Sequence, residues 1–138
     1  MPPQTGEKAR LPAEAREILD KKAFAHVATL MPDGSPQVSP VWVDVDGDDI
    51  VINSAEGRVK PRNVRRDPRV SLAAVDPDDP YVNVQIKGRV KELTHDDADD
   101  VIDALAKKYL DEDEYPFRQP GEQRVTIRIE PERVRVGN

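Results

Sequence analysis

The chain has 138 residues, with 21 Lys and Arg against 27 Asp and Glu, a formal net charge of -6, and no cysteine. That length predicts one domain with a real core, and the missing cysteine excludes disulfides, thiolate metal sites and a cysteine nucleophile. Net acidity argues against nucleic-acid binding through phosphate neutralisation, and with no apolar run of about 18 residues and no charged-then-apolar leader pattern the expectation is a soluble, cytoplasmic protein without a membrane partner.

Residues 1–10 are polar and carry two Pro and a Gly, which predicts a loose N-terminal tail ahead of a single domain over 11–138. Pro12 suits a first helical turn, and Ile18 and Leu19 among charged neighbours predict a short helix from Ala13. Ala23 to Leu30 reads as a mostly buried strand. Pro32-Asp33-Gly34-Ser35 is a turn, because Pro presets φ and Gly accepts a positive φ. Pro36 to Asp46 reads as one strand, Asp46-Gly47-Asp48 as a hairpin turn, and Asp49 to Ser54 as the next strand. Along Pro36 to Asp46, Val41, Val43 and Val45 share one face, which predicts that they meet the core. Trp42 then points away from it, and a second subunit or a planar ligand is expected to cover so large an apolar side chain.

A short helix is predicted from about Val59 to Arg66, then a strand from Arg69 to Val75. Asp76-Pro77-Asp78-Asp79-Pro80 reads as an acidic loop. Tyr81 to Leu93 is a long strand with Val82, Val84, Ile86 and Val90 inward and a polar outer face that includes Asn83 and Gln85. Thr94 is expected to cap a helix that Asp96 and Asp97 favour at its positive end. Ala98, Val101, Ile102, Leu105 and Tyr109 keep helical spacing. Asp111 to Gly121 reads as a loop, and Gln123 to Glu130 as a last strand that Val134 and Val136 extend. Six or seven strands at hairpin spacing, with two or three helices, predict a mainly β fold: a small, mostly antiparallel barrel with peripheral helices.

No familiar catalytic set emerges. His26 and His95 stand alone, with no partner at metal spacing, so no metal is expected. The serines lack a nucleophile-elbow context, and the Asp pairs read as solvated charge. The exception is the segment Arg58–Arg69, which holds six basic residues and one acid on an acidic background. It follows a strand end at Asn53-Ser54 and a Gly-containing loop. Hydroxyl, amide and guanidinium donors beside a helix N-terminus can cradle an anion such as a phosphate. The competing reading is a solvated helix whose Arg residues pair with surface acids.

Four stretches carry a resemblance. They are Thr29-Leu30-Met31-Pro32-Asp33-Gly34-Ser35-Pro36 through Trp42, then Ser54 through Arg58-Val59-Lys60-Pro61-Arg62-Asn63 and Asp67-Pro68-Arg69 to Ser71, then Asp79-Pro80-Tyr81, and Gly88-Arg89-Val90. Together they resemble the pyridoxamine 5'-phosphate oxidase-like, FMN-binding split β-barrel superfamily, most closely its branch that uses coenzyme F420, over about residues 11–136. The resemblance implies a split β-barrel homodimer with cofactor sites at the subunit interface and a small-molecule substrate. It implies that Arg58 and Lys60 hold the cofactor phosphate, assisted by Asn53 and Ser54. The ring would lie against Ser39, Pro40, Val41, Trp42 and Val43. Arg62 and Asn63 would meet the phosphate or an acidic tail, and Asn83 and Gln85 would reach in from the partner. The implied activity is an F420-dependent oxidoreductase that moves a hydride to or from a small organic molecule, with no catalytic side chain assigned; an FMN flavoprotein and a non-catalytic cofactor binder are the alternatives. Val59 intervenes between Arg58 and Lys60, a spacing that resembles the F420 branch. The chain ends without the Arg- and His-bearing segment of true pyridoxamine phosphate oxidases, which argues against that activity.

Overall fold

The computed structural model describes residues 9–137; the tail expected over 1–10 lies, up to residue 8, outside the described residues. Ala9 is already tied down, its N–H donating to the Pro131 carbonyl at 2.7 Å. In order, the elements are α1 (Ala13–Asp20), β1 (Ala25–Leu30), β2 (Pro36–Val41), β3 (Asp44–Asp46), β4 (Asp49–Ala55), α2 (Val59–Arg66), β5 (Arg69–Asp76), β6 (Asp79–Thr94), α3 (Ala98–Leu110) and β7 (Arg124–Gly137). No helix among them is long and apolar enough to cross a membrane.

The seven strands form one antiparallel sheet in the order β2-β1-β5-β6-β7-β4-β3. Its two edge strands are neighbours in sequence, separated only by Trp42 and Val43. The three Cα steps from Val41 to Asp44 span no more than about 11 Å, so the sheet must roll until its edges nearly meet. The result is a split β-barrel.

This corrects the single strand expected over Pro36–Asp46. A strand cannot pair with β1 at one edge and β4 at the other without a break, and the break falls at Trp42-Val43. The valine period still holds: Val43 is fully buried, and Val41 and Val45 pack at the margin of the core. Aliphatic side chains fill the barrel, among them Ile50, Ile52, Ile86, Ile127 and Ile129, with Ile18 and Leu19 brought in by α1. Each such side chain contributes roughly 1.5–3 kcal/mol.

Tertiary bonding supplies what the seam lacks. The Val43 N–H donates to the Tyr109 hydroxyl oxygen at 3.1 Å, and the Val43 carbonyl accepts from Lys108 Nζ at 2.7 Å. Lys108 also donates to the Leu19 carbonyl, and the Tyr109 hydroxyl to the Ala23 carbonyl. α3 therefore binds across the split. It starts at Ala98, later than its expected opening at Thr94. Thr94 Oγ1 accepts from the Asp96 N–H in a local turn instead, and Asp97, at the helix start, turns its carboxylate to Arg128 at 3.1 Å.

β6 and β7 are the longest strands, and their register shifts at Lys87/Gly88 and at Val90/Glu92. Such bulges bend a long strand around a barrel. At the first of them a Cβ on Gly88 would stand 2.6 Å from the Glu130 carbonyl oxygen and 3.1 Å from Ile129 Cγ2. Gly88→Ala should therefore destabilise the barrel by about 1–3 kcal/mol, the usual cost of overpacking; a urea midpoint equal to that of the parent would show that β7 yields freely.

Candidate functional site

β4 runs buried along its whole length and delivers the chain to Gly57, whose φ of +89° turns it into α2. Arg58 is the N-cap residue of α2, and no side chain caps it. α2 is docked by Asn63, whose Nδ2 donates to Thr29 Oγ1 at 3.0 Å, and by Arg66, which donates to the Leu30 carbonyl and to Asn63 Oδ1. These bonds hold Arg58 and Lys60 against β2, where Lys60 Nζ donates to Ser39 Oγ at 2.7 Å.

The basic residues divide by partner. Arg65 makes two bonds to Glu56, at 2.7 and 2.9 Å, and Arg69 does the same to Asp67, bringing the Asp67 carboxyl down to about 2. Arg66 bonds a carbonyl and an amide oxygen where pairing with an acid was expected. Arg58 has only a loose approach to Glu122 at 3.8 Å. Lys60 is half-buried and has no carboxylate at ion-pair distance among the described residues. Burial, and then the charge of Arg58, hold its ammonium below the ordinary lysine value.

Lys60, Arg58, Ser39, Ser54 and Thr29 line a cleft of about 310 Å³. It shares Pro40, Val41, Asn53 and Arg58 with a second cleft of about 230 Å³, whose walls add Phe24, Trp42, Tyr115, Phe117 and Arg124. Among the described residues no carboxylate lines either one. The chain has only six aromatic residues, and five form a contact row here. Phe24 meets Tyr109, Tyr109 stacks on Trp42 at 5.3 Å between centroids, and Trp42 meets the edge of Tyr115, which meets Phe117. A cation-lined cleft beside an aromatic wall suits a ligand with an anionic group at one end and a planar ring at the other.

The residues picked out from sequence sort accordingly. Ser39, Pro40, Val41, Trp42, Asn53, Ser54, Arg58 and Lys60 meet at the paired clefts. Val43 does not: its side chain is in the core and its backbone serves the seam. Asn63 is buried in docking α2, and Arg62 is exposed on α2 away from both clefts. Asn53 lines the clefts while committed on both sides, its Nδ2 donating to the Ala98 carbonyl and its Oδ1 accepting from Arg124 Nε, each at 2.9 Å. Asn83 and Gln85 bond each other on β6, and Gln85 faces a separate cavity of about 640 Å³ with Lys87, Arg133 and Arg135. A single chain therefore does not bring them to Lys60.

Tyr109 of the same chain stacks on one face of Trp42, and the indole stays partly exposed at the second cleft. Of the three tyrosines, Tyr109 is spent on backbone, with burial pushing its hydroxyl up, and Tyr81 is exposed on β6; Tyr115 is at the cleft. Sequence reasoning missed Arg124, Phe24 and Phe117. The readable signal was the aromatic enrichment of 109–117 in an aromatic-poor chain, together with the Glu122-x-Arg124 pair at a strand start.

Fold and clefts define a class: a split β-barrel with a groove that carries Arg58 and Lys60 beside an aromatic wall. The chain belongs to the pyridoxamine 5'-phosphate oxidase family, whose model matches residues 11–137, and so to a family of oxidoreductases. It is similar to an F420 reductase of known structure, 28% identical with a TM-score of 0.79, over 91% of this chain and 98% of that one. It is also similar to a FAD-binding protein from Mesorhizobium loti, 26% identical with a TM-score of 0.67, over 92% and 94%. A conserved hypothetical protein from Mycobacterium tuberculosis shares the fold at 24% identity and a TM-score of 0.73, over 98% and 89%.

Asn53→Ala would strand the Ala98 carbonyl and Arg124 Nε, two buried groups worth about 1–3 kcal/mol each. Its urea unfolding curve should shift to lower midpoint with unchanged slope, and an unshifted curve would mean that water replaces the amide.

Proposed function

We propose that this chain is an oxidoreductase that uses coenzyme F420, a deazaflavin, with an unidentified small organic molecule as the second substrate. The observation that carries this reading is Lys60: a half-buried ammonium with no carboxylate at ion-pair distance among the described residues, beside Arg58, in a cleft whose charged lining residues are these two cations. An isolated buried charge is costly, and a bound anion removes the cost. The residues present fit a phosphate-bearing, ring-bearing cofactor. Lys60, Arg58, Ser39 and Ser54 would hold the phosphate, with charge-assisted bonds of roughly 1.5–3 kcal/mol each. Pro40, Val41 and Trp42 would face the ring, and Arg62, exposed on α2 outside the clefts, would meet an acidic tail.

When bound, such a cofactor supplies hydride chemistry, so the chain need only bind, orient and exclude water. The similarity to an F420 reductase supports this choice of cofactor. A second reading, FMN in the same cleft, is supported by the similarity to a FAD-binding protein. A binder without turnover would use the same residues. Under either cofactor we propose a cytoplasmic homodimer, in which the outer face of β6 brings Asn83 and Gln85 of one subunit to the cleft of the other. The exposed Val38, Val75 and Tyr81 support a covered face.

Fluorescence titration with F420 and with FMN tests the choice between them; tighter binding of FMN would transfer the assignment to a flavoprotein. Lys60→Ala should weaken the preferred cofactor by roughly tenfold to a hundredfold, the loss of one charge-assisted bond, and equal affinity would end the phosphate assignment. The ammonium of Lys60 also predicts a pH dependence. Its pKa lies below the usual 10.5, so affinity for phosphate should fall as alkaline pH removes the proton, and Lys60→Arg should abolish that fall. The depressed value means that charged Lys60 opposes folding of the empty protein below that pKa. Lys60→Met should then raise the melting temperature at neutral pH while cofactor affinity falls as it does in Lys60→Ala.

A further inference from the structure

Arg124 is 4% exposed, yet it lines the aromatic cleft. Two of its three nitrogens are committed: Nε donates to Asn53 Oδ1 and Nη1 to Glu122 Oε1, both at 2.9 Å. Nη2 has no partner among the described residues and is not sealed inside the protein. The guanidinium lies over the Tyr115 ring at 5.1 Å, and Tyr115 meets Trp42 edge-on at 6.0 Å. Asn53 and Tyr115 thus fix the plane of the guanidinium, and its unspent donor is left at the ring-lined end of the groove. Glu122 neutralises the cation, so what is offered is a donor without net charge. A neutral acceptor oxygen matches that better than a carboxylate.

We propose that Arg124 is a specificity-determining residue whose Nη2 donates to a carbonyl oxygen conjugated to a planar ring lying in the aromatic cleft. This rests on the reading that the paired clefts hold a ring-bearing anion, and adds a second anchor at the end opposite the phosphate. The carbonyl can belong to the ring of the cofactor or to the second substrate; the donor and the chemistry are the same. A preorganised buried donor discriminates strongly, because a ligand lacking the acceptor leaves it unpaired.

Trp42 is the sole tryptophan and lines this cleft, so its fluorescence reads occupancy. Three probes separate the cases: lumichrome, a flavin-type ring without phosphate; inorganic phosphate, which competes for the other end; and chromone, a planar conjugated ketone, added to protein saturated with F420 or FMN, whichever binds more tightly. Arg124→Lys keeps the charge and removes the planar donor. A tenfold or greater loss of lumichrome affinity, with competition by inorganic phosphate unchanged, assigns the bond to the cofactor ring. Unchanged lumichrome affinity with a tenfold or greater loss for chromone assigns it to the substrate. Unchanged affinity for both, or no binding of either by the parent chain, overturns the proposal. If the lysine variant loses its melting transition, Arg124→Gln is read in the same way. Lys60→Ala, measured alongside, tests the phosphate end alone, since lumichrome carries no phosphate.

Discussion

The barrel depends on two backbone groups of Val43. The chain leaves β2 at one edge of the sheet and enters β3 at the other, and the two residues between have no strand to pair with. A buried N–H or C=O left unpaired costs about 1–3 kcal/mol. Tyr109 and Lys108, adjacent on α3, meet both groups and fasten α1 and the segment leading into β1 through the Leu19 and Ala23 carbonyls. The arrangement has its own cost, since burial lowers the pKa of Lys108. The seam and the candidate site are one construction: Tyr109, which bonds Val43, also stacks on Trp42, and Trp42 begins the aromatic wall.

Charge shows the same economy of placement. Six cations between Arg58 and Arg69 look alike in sequence, and their partners make them different. Arg65 and Arg69 face carboxylates in solvent, where ion pairs contribute little, and they serve to hold loop and helix in place. Arg66 and Asn63 dock α2 on β1. Lys60 alone is turned toward β2, half-buried, with a serine hydroxyl for company. A site that holds an anion must keep a cation partly dehydrated and unpaired until the anion arrives, at some expense to the stability of the empty protein.

Much of the fold was legible. Turn chemistry located the hairpins at Gly34 and Gly47, both of which take positive φ. Valine and isoleucine periods located the strands, and Val59–Arg66 came out as the helix expected. The Arg58–Lys60 pair, with Ser39 and Ser54, was also legible, through the resemblance in motif more than through charge. The break at Trp42-Val43 was not. Residues 36–46 alternate without interruption, and only pairing at opposite sheet edges demands a break. The stack on Trp42 was not legible for a similar reason: Tyr109 reaches it from far along the chain. Arg124 was hidden because it sits outside the apolar period of its strand, where a sequence pattern gives no weight to a single residue.

What the sequence by itself determined is therefore local: strand and helix periods, turns, an apolar inventory sufficient for one barrel, and a basic motif of recognisable spacing. These follow from steric and hydrophobic rules that act within a few residues. The tertiary structure decided which cation is unpaired, which aromatic rings meet, and which donors are still available. Those outcomes join residues far apart, 21 positions from Ser39 to Lys60 and 71 from Asn53 to Arg124. A hydrogen bond or a dehydrated charge has a value only once its neighbours are in place, and those neighbours come from closing the barrel.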